Sequence, residues 1–311
     1  MNKETNNIRI AFWGTSRISV IVLEEMAHAG ILPTLIITAP AKPKGRKLVL
    51  TSSEVKVWAD AHHIPTLEPI ELKSEEFVKT LGADWDLFII TSYGKIVPRT
   101  ILDLPKQGTL NVHPSLLPQL RGASPIQSGI LADVEPGTTH ETGVTIIQID
   151  EEVDHGPIVV QEKISIPHWP PKASKLEETL GVLGGKLLAQ TIPFWVSGSI
   201  TPKEQCHDQA TYTKKMTKGS GQIYLDDDPV RMYRKIRAFD VWPRAFFITL
   251  QKRSLRPGRE SVDSEIRIIV TEAHLEKDLV GIQKLVLDRV IPEGKKEMAY
   301  KDFLRGQRNS E

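Results

Sequence analysis

The sequence lacks several features that would place the chain in a specialised class of protein. Its 311 residues include one cysteine, Cys206, so neither an internal disulfide nor a cysteine-rich metal site can form. No apolar run comes close to the length of about eighteen residues that a membrane-spanning helix needs. Residues 1–7 are polar and lead directly into a predicted strand, so we expect no signal peptide. These absences favour a cytoplasmic protein without a membrane partner.

The charge is nearly balanced overall but is unevenly distributed along the chain. The formal net charge is +1. Residues 206–311 contain 21 Lys and Arg against 16 Asp and Glu, a net of +5, whereas residues 1–205 contain 19 against 23, a net of −4. A basic C-terminal part favours a polyanionic partner, although the imbalance is also compatible with ordinary variation in surface charge.

The first 200 residues show the element order of an α/β domain. An apolar run at 8–13, helical spacing at 18–29 and a second strand at 32–38 predict a parallel sheet with a right-handed crossover. A dinucleotide-binding fingerprint needs three glycines after the first strand, and this chain has only Gly14 there. We therefore interpret the turn after the first strand as structural and expect no binding of NAD or FAD. Further strands are predicted at 64–67, 85–90, 109–112, 143–149 and 158–164, and helices at 55–62 and 175–196.

The remaining third of the chain has a different pattern. At this length two domains are expected, and we predict an α/β domain at 1–200, a linker at 201–210 and a second domain at 211–311. A helix at 229–239 is followed by short alternating runs, which predict a small β-barrel. Trp242 is interpreted as part of the core of that domain. The runs lie at 245–250, 266–271 and 285–290.

A candidate site lies at the end of the predicted strand 109–112. Asn111 and His113 are two residues apart, so on an extended strand they point to the same face. The loop 91–98 follows a neighbouring strand and reaches the same carboxyl edge, where open α/β folds bind ligands. Asp154 lies between two further strands and either turns inward or belongs to a solvated acidic turn with residues 150–152.

These three residue types suit acyl transfer to an amine. Asn111 and His113 could bind the oxyanion that forms at the carbonyl carbon, while Asp154 orients His113 and takes a proton from the amine. No serine or cysteine nucleophile is required, so direct transfer is the simpler scheme. A purely structural role is the alternative for His113. The other histidines show no metal-ligand spacing, so we expect no metal.

Basic residues mark two candidate surfaces for a polyanion. The loop at 39–47 carries four cations, which either form a solvated surface loop or contact phosphates. The cations of the second domain likewise are either solvated at the surface or contact phosphates. The candidates are Lys42, Lys44, Arg46 and Lys47 in the loop, and Lys214, Lys215 and Arg237 in the second domain.

The motif Asn111-Val-His-Pro-Ser-Leu-Leu-Pro118, together with Val153-Asp-His-Gly-Pro157, resembles the signature of the folate-dependent formyltransferase family. The resemblance implies a Rossmann-like catalytic domain, 10-formyltetrahydrofolate as the formyl donor, and catalytic roles for Asn111, His113 and Asp154. It also implies that two loops line the folate site. Their residues are Ser115, Leu116, Leu117 and Pro118, and Ser92, Tyr93 and Gly94.

Four further stretches resemble the branch of this family that formylates methionyl initiator tRNA. They lie at 42–46, 121–127, 236–243 and 292–298. The resemblance implies that the basic loop meets the acceptor end of the tRNA, with Arg46 the most important contact, and that an OB-like tail domain binds the tRNA. We expect a monomer. Two alternatives stay open: an N-formyltransferase for an amino-sugar nucleotide, and a non-catalytic RNA-binding protein on the same scaffold.

Overall fold

A computed structural model describes residues 8–45, 48–254, 261–277, 281 and 283–308. Two of the predicted basic residues, Arg46 and Lys47, lie outside the described residues. The chain divides into two compact units. The first comprises Met1–Pro125, Glu141–Ser165 and Glu177–Thr213, and the second comprises Ile126–His140, Ile166–Leu176 and Lys214–Glu311. The domain limits 1–200, 201–210 and 211–311 stay predictions.

The described residues form fifteen strands and eight α-helices. The strands are β1 (Ile10–Gly14), β2 (Leu35–Ile37), β3 (Lys42–Lys44), β4 (Val49–Thr51), β5 (Thr66–Leu67), β6 (Leu87–Thr91), β7 (Thr109–His113), β8 (Arg121–Gly122), β9 (His140–Gln148), β10 (Ile158–Ile166), β11 (Tyr212–Thr213), β12 (Phe246–Ser254), β13 (Ser261–Lys277), β14 (Gln283–Pro292) and β15 (Met298–Ala299). The helices are α1 (Arg17–His28), α2 (Glu54–Ala61), α3 (Glu75–Leu81), α4 (Arg99–Leu102), α5 (Pro125–Leu131), α6 (Ala173–Val196), α7 (Pro229–Ala238) and α8 (Tyr300–Arg308).

A seven-stranded sheet organises the first unit, in the order β10-β9-β7-β6-β1-β2-β5. The five strands from β7 to β5 in that row run parallel to one another, whereas β9 runs antiparallel to β7. The central strands are apolar on both faces, as expected for a sheet covered on both sides. Every residue of β1 is buried, and the Trp13 ring packs edge-on against Tyr93 with centroids 5.3 Å apart. The predicted Rossmann-like, mostly parallel sheet is confirmed.

Helix α6 packs closely over the strand that carries the candidate site. A Cβ atom at Gly184 would lie 2.8 Å from Val112 Cγ1, and one at Gly185 would lie 2.6 Å from Glu25 Cβ. The two glycines therefore let α6 approach both β7 and α1 more closely than larger residues would allow. None of the described helices combines the length and the apolar character needed to cross a membrane.

The second unit contains an open antiparallel sheet in the order β12-β13-β14-β15. Its buried face packs with α7 and α8 through Met232, Ile236, Phe247 and Phe303. The predicted second domain rich in β structure is confirmed, but the strands that the structure describes close no barrel. Strand β13 spans 17 residues, far more than the predicted 266–271. The interpretation of Trp242 as core is wrong, because this side chain is 52% exposed.

Candidate active site

The end of β7 places Asn111 and His113 at the carboxyl edge of the sheet. Asn111 is paired with Ile90 of β6 on one side and with Ile147 of β9 on the other, so the strand is held from both sides. His113, the last residue of the strand, is 4% exposed. The backbone hydrogen bonds of two neighbouring strands therefore fix where both polar side chains emerge.

Asp154 turns inward and connects the other two candidate residues. Its Oδ1 accepts a hydrogen bond from Asn111 Nδ2 at 3.1 Å and lies 3.5 Å from His113 Nδ1. Its Oδ2 accepts from the backbone N–H of Gly122 at 2.7 Å. The inward alternative is therefore the one that the structure adopts, rather than the solvated turn. The structure brings the three residues together, and their catalytic roles stay a prediction.

The hydrogen bonds of His113 assign one of its protons. Nε2 lies 3.0 Å from the carbonyl oxygen of Leu120, and a carbonyl only accepts, so Nε2 carries a hydrogen. Nδ1 then faces the Asp154 carboxylate. A second proton on Nδ1 gives an imidazolium that donates to both neighbours, whereas the neutral ring leaves Nδ1 as an acceptor. The contacts therefore fix a hydrogen on Nε2 and place Nδ1 toward the Asp154 carboxylate.

The loop after His113 is fixed by hydrogen bonds to β9 and β10. The Ser115 hydroxyl donates to the Gln119 carbonyl at 2.7 Å, and both Ser115 and Leu117 are buried. Thr145 Oγ1 donates to the Ser115 carbonyl at 2.7 Å, and Gln161 Nε2 donates to the Leu117 carbonyl at 2.9 Å. These contacts fix the shape of the predicted folate loop. Of its members, Leu116 and Pro118 are half-buried.

The second predicted folate loop is anchored to the turn between β1 and α1. Ser16 Oγ donates to Ser92 Oγ at 2.8 Å, and Thr15 Oγ1 donates to the Tyr93 carbonyl at 3.1 Å. Ser92 and Gly94 are exposed, while the Tyr93 ring is buried in the core. Burial raises the pKa of Tyr93 to about 12, and its hydroxyl has no hydrogen-bond partner among the described residues. Contact of these residues with folate stays a prediction.

The segment predicted as linker and domain start contacts the candidate site. Strand β11 pairs in parallel with β8, and Gln205 makes hydrogen bonds to both Arg121 and the backbone of Asp154. Sequence reasoning missed Gln205. The only available signal was a glutamine in a polar, irregular stretch, which carries no periodicity and no motif. Nearby, the His155 and His207 rings stack with centroids 4.0 Å apart.

Four of the five basic candidates that the structure describes are exposed, and one is half-buried. Lys42 and Lys44 lie on β3 of a two-stranded hairpin with β4, in a stretch predicted as a loop. Being two residues apart on a strand, they point to the same side. Lys214 and Lys215 are also exposed, whereas Arg237 is half-buried and donates from Nε to the Pro170 carbonyl at 3.0 Å.

The described residues contain no group of three or more His, Cys, Asp or Glu side chains arranged to hold a metal ion. A metal-free reaction stays a prediction.

Both parts of the chain match one family. Residues 8–192 match the formyl transferase family, and residues 215–308 match the formyl transferase C-terminal domain. The chain belongs to the formyl transferase family. The methionyl-tRNA formyltransferase of Bacillus subtilis (strain 168) is 34% identical to it over 306 residues, which cover 96% of this chain and 94% of that relative.

Solved structures support the fold of this formyl transferase. A methionyl-tRNA formyltransferase from Clostridium thermocellum matches with a TM-score of 0.55 at 17% identity, covering 92% of this chain and 98% of that one. A sugar N-formyltransferase from Shewanella sp. FDAARGOS_354 matches with a TM-score of 0.58 at 17% identity, covering 83% and 96%. At this level of identity the likeness speaks for the fold and does not distinguish between acceptors.

Proposed function

We propose that this formyl transferase moves a formyl group from 10-formyltetrahydrofolate to the α-amine of methionyl initiator tRNA. The observation that carries the chemistry is the convergence of Asn111, His113 and Asp154 within hydrogen-bonding or ion-pairing distance. Membership of the family supports a folate-derived donor. Relatives named methionyl-tRNA formyltransferase, aligned over 96% of this chain, support the acceptor. Location in the cytoplasm and a monomeric state stay predictions.

The three side chains have complementary tasks in direct transfer. As the amine nitrogen bonds to the formyl carbon, the carbonyl oxygen gains negative charge. Asn111 has a second amide N–H that does not bind Asp154 and can donate to that oxygen, and the positive charge of the imidazolium form of His113 stabilises the same oxygen electrostatically. Asp154 accepts the proton that the amine loses, directly or through a water. The bond from the formyl carbon to N10 then breaks, and N10 of the released tetrahydrofolate takes up a proton.

The surroundings of the site fit a donor that enters at the carboxyl edge of the sheet. The exposed Ser92 and Gly94 lie at the end of β6, whose residue Ile90 pairs with Asn111. The predicted folate loop at 115–118 adds the half-buried apolar side chains of Leu116 and Pro118. Apolar side chains beside a few polar groups suit a flat heterocycle with polar substituents.

The tRNA half of the proposal rests on exposed cations. Lys42 and Lys44 share one side of the β3–β4 hairpin, and Lys214 and Lys215 are exposed at the start of the C-terminal match. Such residues position a nucleic acid through its phosphates without reading its sequence. We extend the same role to Arg46, Lys47 and Arg237.

The function is tested by giving the purified protein 10-formyltetrahydrofolate with one of two acceptors. The acceptors are methionyl initiator tRNA and an amino-sugar nucleotide. Formylation of the tRNA is expected. Formylation of the sugar alone would overturn the choice of acceptor, and binding of tRNA without turnover would favour a non-catalytic RNA-binding protein.

The catalytic assignment is tested with His113→Ala. We expect turnover to fall by about 10²–10⁴, the usual contribution of a group that moves a proton or stabilises charge in the transition state. The melting temperature should change little by comparison. A near-normal rate would show that His113 is not part of the reaction centre.

A further inference from the structure

The side chain of Gln205 is buried in a stretch whose neighbours are exposed. It is 5% exposed, while Glu204 and Cys206 on either side are exposed. All four hydrogen-bonding positions of its amide are used. Nε2 donates to the carbonyls of Asp154 at 2.9 Å and Gly156 at 2.7 Å, and Oε1 accepts from Arg121 at 3.2 Å and 2.7 Å. A fully satisfied buried amide specifies one geometry for everything it touches.

The backbone that Gln205 binds is the turn that aims the candidate catalytic carboxylate. Asp154 has a φ of +51°, in the left-handed region that non-glycine residues rarely adopt. Such conformations cost about 1–2 kcal/mol and persist where the surroundings fix them. Only glycine fits at position 156, because a Cβ there would lie 1.9 Å from the Gln148 carbonyl oxygen. The Gln205 NH₂ group therefore binds the two carbonyls that lie on either side of His155, at residues 154 and 156.

Arg121 determines which way round the Gln205 amide sits. A guanidinium only donates, so Oε1 must face Arg121 and the NH₂ group must face the two carbonyls. Arg121 is 1% exposed and is itself held by His207 Nδ1 at 2.9 Å. The next residue, Gly122, donates its N–H to the Asp154 carboxylate. Strand β8 thus orients Asp154 in two ways. Arg121 acts on the Asp154 backbone through Gln205, and Gly122 binds the Asp154 side chain directly.

We infer that Gln205 is a positioning residue for Asp154, which keeps the carboxylate aimed at Asn111 and His113 without touching the substrate. This inference rests on the proposed function, because the proposed function assigns Asp154 as a reacting group. Its physical core, control of the Asp154 carboxylate by Gln205, does not depend on which acceptor is used.

Two substitutions separate positioning from simple loss of packing. Gln205→Leu removes both sets of hydrogen bonds at similar size. Gln205→Glu keeps an acceptor for Arg121 but replaces the donor that faces the two carbonyls with an oxygen. We expect both variants to lower kcat by about tenfold to a hundredfold, the effect of a misplacement of about 1 Å, with little change in KM for the donor. A wild-type rate in Gln205→Glu would overturn the inference. Because that variant keeps the Arg121 contact, it also serves if Gln205→Leu folds poorly.

A matched control lies four residues further along. Gln209 is exposed, and its side chain makes no hydrogen bond among the described residues. Gln209→Leu repeats the same chemical change without touching the turn, so its kcat should equal that of the wild type.

A double-mutant cycle with Asp154→Asn decides whether Gln205 acts through the carboxylate. If it does, adding Gln205→Leu to Asp154→Asn lowers kcat no further, because the group being positioned has already lost its function. Multiplication of the two single effects would overturn the inference.

Nuclear magnetic resonance keeps the inference testable apart from the proposed function. In protein with ¹⁵N-labelled histidine, the ring-nitrogen shifts of His113, assigned with His113→Gln, report the carboxylate that faces Nδ1. Gln205→Leu and Gln205→Glu should move these shifts in the direction seen for Asp154→Asn, and Gln209→Leu should leave them unchanged. If the wild type formylates neither acceptor, the proposed function fails while these shifts still decide the role of Gln205. Unmoved His113 shifts in both Gln205 variants would overturn it.

Discussion

Replacement of Asp154 by asparagine removes the charge at the centre of the site and keeps the size of the side chain. The carboxylate accepts on one oxygen from Asn111 and on the other from the Gly122 N–H, with His113 3.5 Å away. An asparagine has only one acceptor oxygen. Whichever way its amide lies, its NH₂ group must face either the Gly122 N–H or the pair formed by Asn111 and His113. At least one donor therefore loses its partner.

Two different magnitudes follow for the Asp154→Asn protein. A buried donor without a partner costs about 1–3 kcal/mol of stability. Loss of the group that accepts the proton from the amine costs about 10²–10⁴ in rate, or about 2.7–5.4 kcal/mol of transition-state stabilisation. The kinetic effect should therefore exceed the effect on folding. At 25 °C the variant should be largely folded and nearly inactive.

The assay is formylation of methionyl initiator tRNA at saturating 10-formyltetrahydrofolate, with a thermal melt of the same sample. Glu151→Gln is the matched control, because it neutralises an exposed carboxylate three residues earlier in the chain. We expect kcat to fall at least a hundredfold in Asp154→Asn and to stay unchanged in Glu151→Gln. A rate within tenfold of the wild type in a folded Asp154→Asn protein would refute the assignment of Asp154 as proton acceptor.

Two further predictions concern groups away from the reacting atoms. Burial raises the pKa of Tyr93 to about 12, so the folded protein keeps this hydroxyl protonated at a pH where the unfolded chain already ionises it. The free energy of unfolding is therefore unaffected by this group below about pH 10 and falls as the pH rises toward 12. Tyr93→Phe should flatten the alkaline loss of stability in denaturant titrations at pH 8 and pH 11, and removal of the unpartnered hydroxyl should stabilise the protein by about 1 kcal/mol. An unchanged alkaline slope would contradict this account. The double substitution of Lys42 and Lys44 by Ala should weaken tRNA binding and lower the slope of log affinity against log salt by up to about 2, with KM for the donor unchanged. An unchanged slope would mean that these lysines do not meet phosphates.

The parts of the site that could be predicted from the sequence are those set by local rules. The two-residue period of a strand places Asn111 and His113 on one face, and the carboxyl-edge rule places residues 91–94 beside them. Each depends on a few neighbouring residues and on the parallel order of the sheet. The inward position of Asp154 could not be predicted by such rules. The sequence of an acidic turn is the same whether its carboxylates point into solvent or into the site.

The parts that could not be predicted depend on contacts between distant segments. The strand at 42–44, which pairs with 49–51, is predicted as a loop from the sequence because Pro43 and Gly45 are residues typical of loops. Strand β13 extends well beyond its apolar centre because β12 and β14 continue to pair with it on both sides. The exposure of Trp242 likewise depends on how the surrounding chain packs, which hydrophobicity alone does not indicate.

Gln205 shows why a linker inferred from composition can still contact a candidate active site. Polar, irregular segments lack the periodicity that predicts buried elements, so a single inward-facing amide among exposed neighbours leaves no pattern. Yet a buried arginine such as Arg121 needs acceptors, and a left-handed turn such as that at Asp154 needs fixed neighbours. One glutamine meets both needs, because an amide is the side chain that donates and accepts in one plane. The geometry of the candidate site therefore depends on three stretches of chain, at 111–122, 154–156 and 205–213, of which a signature motif marks only the first two.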